Sequence, residues 1–552
     1  MSAKRTNSFF GGTAILAAGI LIVKVISAVY KMPLVNILGS SGYADFSAAF
    51  NIFNIMLMIS TAGIPVAMSK MISQALEQDR PAQVRKIFRI AFSFFLAVGV
   101  LCSLIMLIFA GQFADLMNNS KAVWCMRMLA PSVALVCCLA CFRGYAQGHR
   151  NMTPSSVSQI IEALFKLIVG LSLAWCLIEI LHKPDYIGAA GAIVGVSVSE
   201  LAAVIYMVWD FRRTRLESPL GTGGKTSSSR SILRTCLTLA IPISLTSAST
   251  SIITAVDNSL VMGRLQNALH MTEEAARDLM GNYTGVQTVY QIPAALMVAI
   301  TASVIPAVTI CFTRRDRFGA TRIVGSALKT AALVALPSGV GMIVLGTPIT
   351  KLLFHSLDAS VAGPILSILG VANIFVCMML VCNSILQAHG FVNLPVAIML
   401  LGGVVKIFTN YHVVVVPSMG IYGAPMGNIL CFALCMVLDL VVIARVIPRR
   451  PSYFQVFAKP AAASALMGLG AWAVYGLLSK GLMAAGKLCE LDQATQEILG
   501  LSRTGNGLAV ACAILVAVAV YGILVIALRA ITREDLSLMP KGEKIARILH
   551  LS

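Results

Sequence analysis

Long apolar segments separated by short polar connections make up almost the whole chain. Each segment is apolar on all sides and lacks the alternation of period two that marks a barrel strand, so each predicts a helix. About 20 mainly apolar residues let a helix cross a bilayer. The pattern therefore predicts an all-α polytopic membrane protein with about fourteen transmembrane helices. They lie near residues 11–35, 43–72, 90–110, 123–147, 155–181, 187–211, 235–262, 283–312, 323–346, 363–387, 394–416, 421–447, 460–478 and 507–528.

Composition agrees with that pattern and excludes a large soluble core. Of the 552 residues, 58% are hydrophobic and only 12% are charged, against about 25% charged residues in soluble domains. The formal net charge of +19 would suit nucleic acid, but most Lys and Arg residues fall in alternate connections and in the two termini. That asymmetry is typical of cytoplasmic loops. We therefore expect both termini inside, no nucleic-acid partner, and attraction to anionic membrane lipids.

The two halves of the chain repeat one another. Five short matches occur in the same order, four of them at a shift of 240 or 241 residues. Six spans per copy is an even number, so the copies share one orientation, and parallel repeats in transporters place the substrate site between two lobes. The matches are Ile64-Pro65 with Ile305-Pro306, Gln147 with Gln387, Pro154 with Pro395, Lys166 with Lys406 and, at a shift of 227, residues 26–29 with 253–256.

The repeat predicts how the chain is divided. Residues 1–211 and 235–450 form two six-helix lobes, and the Gly-, Ser- and Arg-containing residues 212–234 between them form a flexible cytoplasmic linker. Residues 451–531 hold two further helices, and residues 532–552 form a basic cytoplasmic tail.

Charged residues inside the spans are the candidate site, because a charge at mid-bilayer costs roughly 2.5–3.5 kcal/mol. Lys24 and Lys31 lie seven residues apart in span 1 and so share one helix face. That face meets either a hydrated central cavity or a buried acid. Lys406 lies in span 11, which contains no acid, so it needs water or a partner from another helix.

A second group of polar residues lies in and before span 5. Glu162 and Lys166 are four residues apart, which suits a helical ion pair; alternatively both line the cavity together with Gln159. Arg143 lies near the cytoplasmic end of span 4, where it either snorkels to the interface or stands at the inner mouth of the cavity.

Asp257 is the lone acid of span 7. It binds a coupling cation, Na⁺ or H⁺, or pairs with a lysine such as Lys31, or does neither. Beyond such an ion the pattern indicates no cofactor, no metal site and no catalytic residue. The lysine-rich cavity favours an anionic substrate, whereas an exporter of organic cations needs acids there. A membrane glycosyltransferase needs catalytic acids in a sizeable external loop, and the external loops are short, so we do not expect an enzyme.

The stretch RGYAQGHRNMTPSSVSQIIE, residues 143–162, resembles the MurJ-type lipid II flippases and the stage V sporulation protein B group. The resemblance extends over spans 1 to 12 and includes the stretches that begin at Tyr283 and Ala335. These families belong to the superfamily that contains the multidrug and toxin extruders. The resemblance implies a monomeric, alternating-access flippase of the bacterial plasma membrane. Its substrate would be a polyprenyl-diphosphate-linked sugar precursor, above all lipid II, moved from the inner to the outer leaflet.

The resemblance also implies site residues. Family members hold the diphosphate with basic residues of span 1, where this chain has Lys24 and Lys31, and the candidate anion site is completed by Arg143, Lys166 and Lys406. The family arginine at the start of span 8 falls on uncharged Thr288 or its neighbours. Asp257 and Asn410 are the nearest matches to sodium ligands of spans 7, 11 and 12. A cation-coupled multidrug or small-molecule exporter of the same superfamily, or a polysaccharide-assembly factor without transport, remain alternatives.

The charge asymmetry yields a test of topology. A cysteine placed at Ser228, in the predicted linker, should react with a membrane-impermeant maleimide only in inside-out vesicles or lysed cells, because cytoplasmic loops carry the Lys and Arg excess. Labelling of Ser228→Cys in intact cells would contradict the predicted orientation.

Overall fold

The computed structural model describes residues 2–217, 226–313, 317–391, 393–446, 453–488 and 503–528. The described residues are almost entirely helical and include no strand. The helices are α1 Ser2–Thr61, α2 Ile64–Glu77, α3 Pro81–Ile108, α4 Ala110–Leu116, α5 Ala122–Gly148, α6 Thr153–Phe165, α7 Leu171–Trp175, α8 Asp185–Glu217, α9 Ser229–Asn267, α10 Glu273–Thr313, α11 Arg317–Leu353, α12 Ala359–Ala388, α13 Leu394–Val413, α14 Gly423–Val446, α15 Tyr453–Leu488 and α16 Arg503–Ala527. Two π-helical turns, Lys166–Gly170 and Cys176–Ile180, flank α7, and a short 3₁₀ turn, Gly420–Tyr422, precedes α14.

The predicted all-α membrane fold is confirmed. Twelve helices among the described residues are long and apolar enough to cross a membrane. One of them, Ile22–Glu77, has 56 residues, about 84 Å of helix, which is enough for two crossings of a core about 30 Å thick. The 41 residues of α10 suffice for one more. The described helices therefore account for the fourteen predicted spans.

The first two spans are joined without a loop. α1 runs from Ser2 to Thr61 and kinks at Gly39, whose φ of 70° lies in the left-handed region. A side chain at Gly39 would meet no atom within 4 Å, so the backbone conformation and not the space is what requires glycine there. The second span breaks again after Thr61, and Pro65 lies in the first turn of α2, where a proline costs no hydrogen bond.

The chain forms two compact units, residues 1–281 and 282–552. In the first, α5 packs against α1, α2, α3 and α8, and α9 packs on α1. In the second, α12 packs against α11 and α14, α13 packs on α14, and α15 and α16 pack on each other and on α11. The predicted lobes and tail stay predictions. Residues 218–225 of the predicted linker and the tail beyond residue 528 lie outside the described residues.

The helix pairs α5–α6 and α12–α13 match position by position, as the repeat predicts. Gln147 and Gln387 each stand one residue before the end of a helix, and a histidine caps each helix, His149 and His389. The next residues, Arg150 and Gly390, both have positive φ, 61° and 102°. Pro154 and Pro395 are each the second residue of the following helix. Each proline fixes the start of a helix, where its missing N–H leaves no gap in the ladder.

Candidate functional site

A small polar cavity lies inside the first unit, between α1, α5 and α6. Its volume is about 180 Å³. Four of the predicted site residues line it, namely Arg143, Gln159, Glu162 and Lys166, together with Val23, Ser27, Tyr30 and Ala163. Sequence reasoning had placed these four on two different spans. The turn between α5 and α6 brings them to one place.

An ion pair closes one side of this cavity. Arg143 Nη2 donates to Glu162 Oε2 at 3.0 Å, and Arg143 Nε donates to Ser158 Oγ at 3.0 Å. The exposed fractions of the two charged side chains are 15% and 26%, so the pair is shielded but reachable. Because α6 runs back along α5, Ser158 and Glu162, one turn apart on α6, both face Arg143. Arg143 therefore does not snorkel alone to the interface; it is held by two partners.

The predicted pair between Glu162 and Lys166 is replaced by this one. A π-helical turn begins at Lys166, directly after the α-helical residues that separate it from Glu162. Within the described part of the chain, no carboxylate lies within 4.0 Å of the Lys166 ammonium. Its Nζ instead lies 5.8 Å from the ring centroid of Phe50, a cation–π distance. Such π turns occur frequently at functional sites.

Two further lysines border the cavity without lining it. Lys31 is half-buried, and its ammonium lies within electrostatic range of Lys166 and Lys24. Lys24 is exposed. Beside the cavity, Glu200 of α8 is only 2% exposed and lies within range of Glu162, Lys166 and Arg143. Four cations therefore stand beside two acids, which leaves the cluster positive.

The other predicted site residues lie elsewhere. Asp257 is buried in α9 of the first unit, and Asn410 is buried in α13 of the second. Lys406, also in α13, is half-buried. The predicted roles of these three residues stay predictions.

A second ion pair of the first unit is buried more deeply. Arg277 Nε donates to Asp45 Oδ1 at 2.9 Å, and a second guanidinium nitrogen donates to Oδ2. Asn119 Nδ2 also donates to Asp45 Oδ1 at 2.9 Å, and Asp185 lies 3.7 Å from Arg277. Asp45 is fully buried, and Arg277 is 4% exposed. The pair ties α1 to the beginning of α10, to the beginning of α8 and to the connection before α5.

Arg277 lies in the same helix as the predicted span 8. The sequence predicts the start of this span near residue 283, six residues after Arg277. Residues 273–313 are instead one continuous helix. Arg277 therefore lies in the second turn of α10. Thr288 lies three turns further on, buried, with its hydroxyl donating to Gly285 O.

Several neighbours of the cavity are not among the site residues predicted from the sequence. Ser158 and Glu200 carried a signal, since both are polar residues within apolar spans. Phe50 and Tyr30 carried none, because aromatic residues are ordinary in such helices. Among the described residues, no group of three or more His, Cys, Asp or Glu side chains is placed to hold a metal ion.

Comparison with known proteins identifies the family of this chain. The model of the family described as polysaccharide biosynthesis protein matches residues 9–310, more than half of the chain. The chain belongs to this family. It is 24% identical to the lipid II flippase MurJ of Bacillus subtilis (strain 168) over 80% of this chain and 83% of that protein. It is 21% identical to the stage V sporulation protein B of the same organism over 80% and 85%, and 25% identical to its uncharacterized membrane protein YabM over 79% and 80%.

Solved structures show the same fold. A lipid II flippase MurJ in an inward closed conformation aligns with a TM-score of 0.64 at 14% identity, over 93% of this chain and 98% of that one. A multidrug resistance transporter in an inward-facing conformation aligns with a TM-score of 0.60 at 15% identity, over 77% and 95%. This member of the polysaccharide biosynthesis family thus has the fold of the flippase and of the multidrug transporter.

The Arg143–Glu162 pair generates a test of anion binding. In Glu162→Gln the guanidinium loses its internal carboxylate, so an added anion no longer has to displace it. We expect purified Glu162→Gln protein to bind inorganic pyrophosphate about tenfold more tightly than the wild type, a gain of about 1.4 kcal/mol, measured by titration calorimetry. Arg143→Gln should bind more weakly than the wild type.

Glu179→Gln is the matched control, since it removes an exposed acid from the other end of the same span. Its affinity should equal that of the wild type. An unchanged or weaker affinity in Glu162→Gln would show that Glu162 does not compete for Arg143.

Proposed function

We propose that this protein is an alternating-access flippase of the bacterial plasma membrane. It moves a polyprenyl-diphosphate-linked sugar precursor, lipid II above all, from the inner to the outer leaflet. The observation that carries the proposal is the positive cavity of the first unit, where no carboxylate of the described residues lies within 4.0 Å of the Lys166 ammonium. The relative named as lipid II flippase supports this substrate class.

The charges suit a diphosphate. A single buried lysine is costly in an apolar protein unless water or an anion offsets it. Here Lys31 lies within electrostatic range of both Lys166 and Lys24, which raises that cost through repulsion. A diphosphate offsets several positive charges at once, and lysines meet it as point charges without strict geometry.

In the Arg143–Glu162 pair, the Glu162 carboxylate occupies the position at Arg143 that a phosphate of the substrate would take. Glu162 accepts a hydrogen bond from the Arg143 guanidinium, so the arginine is not left uncompensated in the membrane. An arriving phosphate accepts the same hydrogen bonds, since guanidinium groups match carboxylate and phosphate equally. Substrate binding is then an exchange of one anion for another, which keeps the net affinity moderate and permits release on the far side.

The surface of α1 suits the rest of a lipid-linked substrate. Ile22, Val25 and Val29 are exposed, at 47%, 64% and 53%, and their spacing of three and four residues places them on one face. Lys24 and Lys31 lie beside them. A hydrocarbon chain packs against such an apolar face while its diphosphate contacts the neighbouring ammonium groups.

The multidrug exporter is the second candidate, because the fold of such a transporter aligns with 77% of this chain. The fold therefore does not separate the two functions, but the charge does. Organic cations would be repelled by the lysines around the cavity, and its one lining acid, Glu162, is already paired with Arg143.

The lysines provide the test. Lys24→Ala and Lys166→Ala should each fail to complement cells depleted of their lipid II flippase, although both should be as abundant in the membrane as the wild type, because each change removes a cost of insertion. Lys24→Arg and Lys166→Arg should retain much of the function. Lys183→Ala, which removes an exposed lysine after the same span as Lys166, should complement fully.

Normal abundance with full complementation by both alanine variants would refute the diphosphate site. Loss of abundance instead of loss of function would assign these lysines a structural role.

A further inference from the structure

The second unit contains a buried acid that the proposed substrate site does not use. Asp439 lies on α14, six residues before Arg445 near the end of that helix. Its side chain is 0% exposed. Both carboxylate oxygens are buried and have no hydrogen-bond partner within the described structure. This combination is rare, since most buried polar side chains are hydrogen-bonded.

Two thiols lie within electrostatic range of Asp439. α12 contributes Cys382, and α14 itself contributes Cys435 one turn away, both within electrostatic range of the carboxylate. From α13, Ile398 accepts a hydrogen bond from Cys435 Sγ at 3.6 Å through its carbonyl oxygen. No basic side chain among the described residues lies within 4.0 Å of Asp439.

The register of α13 shows where its lysine lies. A Cβ added to Gly402 would lie 2.5 Å from Cys435 Sγ and 3.1 Å from Cys431 Sγ, so Gly402 packs directly on this part of α14. Asn410 packs on Gly427 in the same way. The two helices therefore run in opposite directions, and Lys406 is level with the residues near 431. That is about 12 Å along the axis from Asp439.

An ionised carboxylate at such a place is very unfavourable, because neither a donor nor a counter-charge compensates the loss of water. Sodium is a poor occupant, since hard cations take several oxygen ligands, whereas the groups recorded within electrostatic range of this carboxylate are soft thiols. A proton needs no further ligand. We propose that Asp439 is a proton-binding site, occupied while α14 packs against α12 and α13 and emptied when that packing opens.

This site is separate from the predicted coupling-ion residue of the same unit. Asn410 packs on Gly427, twelve residues before Asp439, or about 18 Å along α14. The nearer end of α14 is the one that carries Arg445, about 9 Å away. By the charge asymmetry this end is cytoplasmic, so the proton would be released to the cytoplasm. Only this consequence for transport rests on the proposed flippase function.

The protonation state is tested directly by infrared spectroscopy on the purified full chain in nanodiscs at pH 7.5. The wild type should show the carbonyl stretch of a protonated carboxylic acid, sensitive to D₂O, and Asp439→Asn should lack that component. The change replaces the neutral acid by a neutral amide of the same shape, so we expect it to fold. Asp115→Asn, which removes an exposed acid, is the control and should keep the component.

Identical spectra of the wild type and Asp439→Asn would overturn the proposal. If Asp439→Asn aggregates, Asp439→Glu decides, since it keeps a carboxyl group in a shifted environment. Displacement of the component in Asp439→Glu supports the site, and an unchanged component overturns it.

A transport measurement in proteoliposomes then tests coupling. The wild type should flip a lipid-linked substrate several-fold faster under a pH gradient of one direction than without a gradient, and Asp439→Asn should flip at one rate in both conditions. Equal gradient dependence in both proteins would overturn the coupling role. Absence of all flipping by the wild type would contradict the flippase function, while the infrared result would still decide the proton site.

Discussion

The ion pair between Arg143 and Glu162 is the interaction on which the candidate site depends. Without Glu162 an arginine would stand uncompensated beside three lysines inside a membrane protein, and without Arg143 the acid would be equally costly. The pair, together with Ser158, holds α5 against α6 and so shapes the cavity. In the described structure no carboxylate lies within 4.0 Å of the Lys166 ammonium. The ion pair therefore lowers the cost of placing charged groups in the membrane. The remaining positive charge of the cavity attracts an anion.

The two ion pairs of the first unit differ in how deeply they are buried. Arg277 and Asp45 are almost fully buried and share a bidentate contact with further partners, so opening that cluster is costly and its role is to hold helix ends together. Arg143 and Glu162 are partly exposed and make a single contact, so an incoming phosphate can replace the carboxylate. Depth of burial thus distinguishes a structural pair from an exchangeable one.

Much of the fold and part of the candidate site could be predicted from the sequence. Spans followed from hydropathy, and the repeat followed from Gln147, Pro154 and Lys166 with their counterparts, because prolines and caps fix helix ends locally. The partner of Glu162 was not predictable, since a four-residue spacing favours Lys166, whereas Arg143 lies on another helix. α10 begins ten residues before the predicted start of span 8. The prediction excluded residues 273–278 because they are largely charged. The sequence does not single out Asp439, because its lack of a hydrogen-bond partner depends on which helices pack around it.

The accessibility of lipid II at the outer leaflet tests whether this protein moves a lipid-linked diphosphate across the bilayer. Cells depleted of their own lipid II flippase accumulate the lipid on the inner leaflet. Expression of this protein should make newly made lipid II accessible to an impermeant enzyme that cleaves it from outside, whereas Lys166→Ala at equal abundance should not. Lipid II that remains inaccessible despite abundant wild-type protein in the membrane would contradict the account.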